Sequence, residues 1–87
     1  MVKLTTKQKI VLEAIEWYIN EYGISPTIKD IAEMTNTSTH PTHEKIIKLE
    51  ELGVISTMNG KARSIRVLIP LEEIEKWWTL EIILYWF

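Results

Sequence analysis

Apolar side chains recur at three- and four-residue spacing along the first part of the chain. These positions are Ile10, Val11, Ala14, Ile15, Tyr18, Ile19 and Tyr22. Just before them, Thr5 and Gln8 have the spacing of a capping box, in which the threonine hydroxyl and the glutamine side chain each accept from the other's backbone N–H. Gly23 suits the left-handed conformation that ends many helices. The pattern predicts a first helix from about Thr5 to Tyr22.

Two further helices are predicted before residue 53. Ser25-Pro26 cannot continue the first helix, and Thr27 and Asp30 repeat the capping spacing at the start of a short second helix. A polar turn over residues 35–38 separates it from a third helix over about 39–52. The apolar stripe of that third helix is Ile46, Ile47, Leu49 and Leu52. A short break between two helices is typical of a helix-turn-helix.

Residues 54–68 have the pattern of a two-stranded hairpin, or wing. Asn59-Gly60 favours a two-residue type I′ turn with a strand on each side. Alternation places Ile65 and Val67 on one face and Arg66 on the other. Arg63 shares the parity of the apolar positions, yet it lies near the end of the hairpin, where it can reach solvent. The predicted fold is mainly α with a small β-hairpin, a three-helix winged helix-turn-helix plus a C-terminal helical tail.

Pro70 is the predicted boundary between this domain, residues 1–70, and an apolar tail, residues 71–87. As a helix, the tail is amphipathic, and its last six residues are apolar all round. A monomer of this size would struggle to bury them, so we expect a homodimer formed through the tail. The dimerisation residues are Leu71, Ile74, Trp77, Trp78, Ile82, Tyr85 and Trp86. The alternatives are docking on the same domain and an interfacial membrane anchor, which the tail's negative charge disfavours.

The charge balance modifies this picture. The net charge of −2 argues against nucleic-acid binding, because Lys and Arg supply much of that affinity. Residues 1–70, however, carry seven Lys and two Arg against eight acidic residues, whereas residues 71–87 carry one Lys against four Glu. The acidity therefore lies mainly in the tail.

Length and composition narrow the class of protein. Eighty-seven residues make one small domain, and 46% hydrophobic residues with 25% charged residues indicate a folded chain. The chain lacks cysteine, a signal-peptide apolar region and any run of about 18 apolar residues, so we expect a cytoplasmic protein. We expect no cofactor, no bound metal and no small-molecule substrate.

Four motifs resemble the N-terminal DNA-binding domain of LexA repressors. They are Leu4-Thr5-x-x-Gln8, Gly23-Ile24-Ser25-Pro26-Thr27 followed by Asp30-Ile31-Ala32, Leu49-Glu50-x-x-Gly53-x-Ile55, and Arg63-x-Ile65-Arg66. Their order and spacing fit over about residues 3–70. The resemblance implies a dimeric repressor whose third helix enters the major groove while the wing lies along the DNA backbone.

The resemblance has limits. Residues 38–45 depart from the pattern expected at several exposed positions, so the operator sequence does not carry over. Typical members also have a C-terminal self-cleaving domain with a Ser-Lys dyad. These 87 residues leave no room for one, and we expect no such autoproteolysis from this chain.

The first turns of the third helix supply the candidate base readers, because the start of a recognition helix faces base edges. They are Ser38, Thr39, His40, Thr42, His43 and Glu44. Hydroxyls pair with any base, His donates to guanine acceptors, and Glu44 accepts from cytosine N4. The alternatives are that Ser38 caps the helix and the others form a solvated face. His40, His43 and Glu44 also have the spacing of a partial metal site, which no neighbouring ligand completes.

Six cations are candidates for phosphate contacts that fix register without reading sequence. They are Lys29, Lys45, Lys48, Lys61, Arg63 and Arg66, with Arg63 the first choice. The alternative for each is ordinary surface charge. We expect Trp17 and Tyr18 to pack at the core or at an interface.

The sequence thus predicts sequence-specific binding of a double-stranded DNA operator by a LexA-like transcriptional repressor. The alternative is a winged-helix module for protein–protein contact, which the acidic tail favours. An enzyme is not expected, because the chain shows no nucleophile–base constellation, metal cluster or phosphate-binding glycine loop.

Overall fold

A computed structural model describes residues 3–58 and 61–76 of the chain. The elements are α1 (Thr6–Tyr22), α2 (Ile28–Met34), α3 (Thr39–Glu51), β1 (Ile55–Ser56) and β2 (Arg66–Val67), followed by helical residues 71–76. The predicted winged helix-turn-helix is confirmed. Within the described ranges, no helix is long and apolar enough to cross a membrane.

Both predicted capping boxes form. The Thr5 hydroxyl accepts from the Gln8 N–H at 3.2 Å, and Gln8 Oε1 accepts from the Thr5 N–H at 2.9 Å. At the start of α2, Thr27 and Asp30 make the reciprocal pair, both at 3.0 Å. Gly23 ends α1 with φ 70°, the left-handed conformation expected there. These helix ends are therefore set by local sequence.

The wing differs from its prediction in register. Ile55 pairs with Val67 and Ser56 with Arg66, whereas a two-residue turn at 59–60 would pair Ser56 with Arg63. The strands are therefore out of register with a two-residue hairpin, whereas the predicted type I′ turn itself falls on residues 59–60, outside the described residues. Ser64 explains part of the difference: its hydroxyl accepts from the Met58 N–H at 3.1 Å and donates to the Lys61 carbonyl at 2.9 Å. Such side-chain bonds compete with a strand ladder.

The core draws its buried residues from all three helices, from β1 and from segments beside these elements. Its buried residues are Leu4, Val11, Leu12, Ile15, Ile31, Ile46, Leu49, Val54, Ile55, Ile65 and Ile74. The predicted alternation in the second wing strand is confirmed, since Ile65 is buried and Arg66 exposed. The wing is therefore anchored by its own apolar face, and α3 is held from behind.

The first turns of the tail pack on the same domain. Ile74 is 3% exposed within the core cluster, and Leu71 packs against that cluster. The Leu71 N–H donates to Glu16 Oε1 at 3.1 Å. Burial raises the pKa of Glu16, and this hydrogen bond opposes the rise. The prediction of Ile74 as a dimerisation residue is wrong, because its own domain buries it. The other predicted residues, Trp77, Trp78, Ile82, Tyr85 and Trp86, lie outside the described residues.

Candidate nucleic-acid interface

The start of α3 presents a polar, solvent-exposed face. Ser38 takes the N-cap position in extended conformation, but its hydroxyl makes no capping hydrogen bond. Thr39, His40, His43 and Glu44 are exposed. His40 Nε2 lies 3.1 Å from Glu44 Oε1, with the two side chains 84% and 67% exposed. Five of the six predicted base readers are thus accessible along one end of the helix.

Thr42 is the exception, and its prediction as a base reader is wrong. Its side chain is fully buried, with a relative exposure of 0%. Its hydroxyl donates to the Ser38 carbonyl at 2.9 Å and lies 2.9 Å from the Thr37 hydroxyl. The position falls on the inner face of α3 with Ile46 and Leu49. Because the side chain is buried, no atom of it is accessible to a DNA base.

Thr42 belongs instead to a chain of hydroxyls that joins α2 to α3. Thr35 donates to the Ile31 carbonyl at 2.8 Å and lies 3.0 Å from Thr37, which contacts Thr42 in turn. Asn36, between them, has φ 54°, a conformation that asparagine tolerates better than most residues. The hydroxyl chain links the end of one helix to the start of the next. It therefore fixes how α3 is presented.

Ile47 is an accessible residue that the apolar pattern misassigned. The sequence placed it in the inner stripe of α3, yet 44% of it is exposed. It follows His43 by four residues and Glu44 by three, which places it on their side of the helix. An exposed isoleucine there can contact a thymine methyl group. Only its unexpected exposure, and no sequence signal, reveals it.

A groove of about 580 Å³ runs between α3, the start of α2 and the wing. Its lining includes Lys29, His43, Ile47, Lys61 and Arg63. The groove therefore brings three predicted phosphate ligands beside two side chains of the exposed α3 face.

The other three predicted phosphate ligands lie elsewhere. Lys45 is half-buried, and Lys48 lies 3.7 Å from Glu51 in an exposed ion pair. Arg66 lines a separate depression with Glu16 and Glu72. The predicted cations therefore do not form one continuous ridge.

Arg63 has internal partners. Its Nη1 donates to Tyr18 Oη and to the Ser25 carbonyl, each at 3.1 Å, and lies 3.3 Å from Asp30 Oδ2. The Tyr18 hydrogen bond is the main cause that raises the pKa of the guanidinium. The hydrogen bond from the Thr27 backbone N–H is the main cause that lowers the pKa of Asp30, and the Thr27 side chain and then the Arg63 charge lower it further. One guanidinium nitrogen thus connects the wing to α1, to α2 and to the loop between them.

A second accessible surface, separate from the groove beside α3, lies along α1 and the end of α2. Trp17 is 51% exposed and packs edge-on against Tyr22, with ring centroids 6.0 Å apart. Together with Ile10, Ala14 and Met34 it lines a shallow apolar depression between α1 and α2. Trp17 therefore lies at the surface. Of the two positions expected from the sequence, the core and an interface, the core is excluded. Throughout the described ranges, no three His, Asp or Glu side chains cluster as a metal site would require.

Comparison with known proteins places this arrangement in a family. The family model for the LexA DNA binding domain matches residues 1–64. The chain is 39% identical over 74 residues to the LexA repressor of Thermosipho melanesiensis, covering 85% of this chain and 37% of that protein. Against the LexA repressor of Aeromonas hydrophila it is 39% identical over 74 residues, covering 84% and 36%. The chain therefore spans roughly a third of the length of the curated relatives it matches.

Proposed function

The chain belongs to the LexA DNA-binding domain family, and from this premise we propose that it binds a duplex DNA operator sequence-specifically as a transcriptional repressor. The observation that carries the proposal is the exposed polar face at the start of α3. A helix fits the major groove of B-DNA, and its first turns face the base edges. The core and the hydroxyl chain hold α3 from behind, so this face is free to enter DNA.

Base reading falls to the exposed side chains of α3. Ser38, Thr39 and His40 lie in its first turn, with His43 and Glu44 one turn later. The histidines donate to guanine acceptors, Glu44 accepts from cytosine, and Ile47 adds an apolar contact suited to thymine. A mixed site with at least one critical thymine is the expected preference.

Phosphate contacts are proposed first for Lys29 and Lys61, because both line the groove beside α3. Lys45, Lys48 and Arg66, which do not line this groove, remain candidates. Each contact adds affinity without base preference, and each raises the dependence of binding on salt. Arg63 has a different role, developed below.

A homodimer is proposed because two symmetric half-sites require two recognition helices. Since Ile74 is already buried, the proposed dimerisation residues are the partly buried Leu71 and the apolar positions from Trp77 onward. Truncation after Lys76 keeps Ile74 and is expected to give a monomer with weaker affinity for a two-half-site operator. Sedimentation analysis of the intact and the truncated protein tests this. A truncated protein that is still dimeric would exclude residues 77–87 as the dimer interface. We also propose a cytoplasmic location and no catalytic activity, since the matched family is a DNA-binding domain.

The deciding experiment is selection from a random duplex library with the intact chain, followed by affinity measurements at two salt concentrations. A palindromic motif with salt-sensitive affinity is the expected result. His43→Ala should lose preference at one base position of each half-site, while Glu21→Ala, an exposed change at the far end of α1, serves as the control. No enrichment, or affinity that ignores salt, would refute the proposal.

The alternative is a protein–protein interaction module. The exposed apolar depression formed by Ile10, Ala14, Trp17 and Met34 favours it, as does the net charge of −2. Failure of the selection would make this surface the next one to test.

A further inference from the structure

We propose that Arg63 is a positioning residue that clasps the wing to α1 and α2, and that it makes no phosphate contact in the DNA complex. This inference rests on the proposed function for its DNA part. We call the contacts of Arg63 with Tyr18, Ser25 and Asp30 the clasp, and they are a property of the free protein.

The first argument is the number and origin of the partners. Tyr18 lies on α1, Ser25 in the following loop and Asp30 on α2, and all three place an oxygen within 3.3 Å of one nitrogen of Arg63. The guanidinium group also lies over the Tyr18 ring, 6.0 Å from its centroid. The two hydrogens of Nη1 are therefore directed at oxygens of the same domain, and these contacts hold the guanidinium group against α1 and α2.

The second argument is the backbone. Arg63 has φ 54°, and among the described non-glycine residues only Asn36 shares a positive φ. Arginine has no side-chain compensation for this conformation of the kind asparagine has, so the position carries a conformational cost. The contacts of the clasp offset this conformational cost.

The third argument is a neighbouring contact that ties down the same segment. The Ser25 hydroxyl accepts from the Ile65 N–H at 3.0 Å, while the Ser25 carbonyl accepts from Arg63. The loop between α1 and α2 therefore holds the wing at two successive points. Losing Arg63 should leave the wing attached through Ile65 but free to pivot around it.

Salt dependence separates positioning from phosphate binding. A lost phosphate contact lowers the slope of log affinity against log salt by about 0.9, whereas lost positioning lowers affinity with the slope unchanged. On the site selected by the intact protein, we expect Arg63→Gln to weaken binding about tenfold at constant slope. Lys61→Gln, on the same wing, should lower the slope by about one. A comparable drop in slope for Arg63→Gln would overturn the proposal.

Arg63→Lys gives a second discrimination. A phosphate accepts lysine as a point charge, so a phosphate role predicts affinity close to that of the intact protein. The clasp needs the planar donors of arginine, so positioning predicts a loss similar to that of Arg63→Gln. Rescue by lysine would count against the clasp.

A double-mutant cycle tests the clasp without DNA. Tyr18→Phe removes one hydroxyl, and its combination with Arg63→Gln measures the coupling in urea unfolding. We expect coupling of about threefold or more in the unfolding equilibrium constant. Additive effects would refute the clasp. If the intact chain binds no DNA, the proposed function fails while this cycle still decides the clasp.

Discussion

Replacing Thr42 by valine isolates the hydroxyl that joins the two helices of the helix-turn-helix. Valine keeps the shape of the fully buried side chain but removes the donation to Ser38 and the contact with Thr37. Thr37 retains Thr35 as a partner at 3.0 Å, so its own hydroxyl is not left unpaired. At a net value of about 1 kcal/mol per hydrogen bond, we expect a loss of about 1–2 kcal/mol in the free energy of unfolding.

Thermal unfolding followed by circular dichroism measures this loss. For a domain of this size, each kcal/mol corresponds to a shift of about 4–8 °C in Tm. Thr42→Ser is the matched control, since it keeps the hydroxyl and loses one buried methyl group, worth about 0.8 kcal/mol plus a small cavity. In the library selection, Thr42→Val should recover the same base sequence as the intact protein. A valine variant with unchanged Tm and an altered base preference would show that Thr42 reads DNA after all.

Three further results are expected. Ile74→Ala should cost about 2–5 kcal/mol in urea unfolding, because Ile74 lies in the core, while exposed Leu68→Ala should stay within about 0.5 kcal/mol; equal effects would contradict the docked tail. Thr5→Ala should cost about 1 kcal/mol by the same assay through loss of the capping box, and a neutral result would contradict it. Because folding lowers the pKa of Asp30, its contribution is complete above its ordinary value of 3.8 and is lost as pH falls through the lower folded pKa. Asp30→Asn should therefore flatten the acid limb of stability measured from about pH 5 downward, and an unchanged acid limb would contradict this.

The helix ends were predictable because their determinants are local. Thr5 and Thr27 each meet a capping partner three residues away, and Gly23 needs only its own backbone freedom. The family resemblance was predictable for a related reason, since its motifs are short and ordered along the chain. Both depend on spacing that the printed sequence displays directly.

The errors fall where distant residues decide. Arg63 meets partners 38 and 45 positions earlier in the chain, which no local pattern connects. In α3, side-chain polarity predicted the wrong face for two residues. The polar Thr42 is buried with its hydroxyl hydrogen-bonded, and the apolar Ile47 is exposed. A threonine with internal hydrogen bonds behaves as a core residue, and no local sequence signal distinguishes an exposed isoleucine from a buried one.

The packing of Ile74 also bears on how two linked copies would search DNA. A connection that begins on rigid protein samples a smaller volume than one that begins on a freely jointed tether. If two copies are joined beyond residue 76, binding of one raises the effective concentration of the other at a nearby half-site, and a restricted start makes that concentration depend more steeply on distance. The separation between half-sites would then contribute to recognition alongside their base sequence.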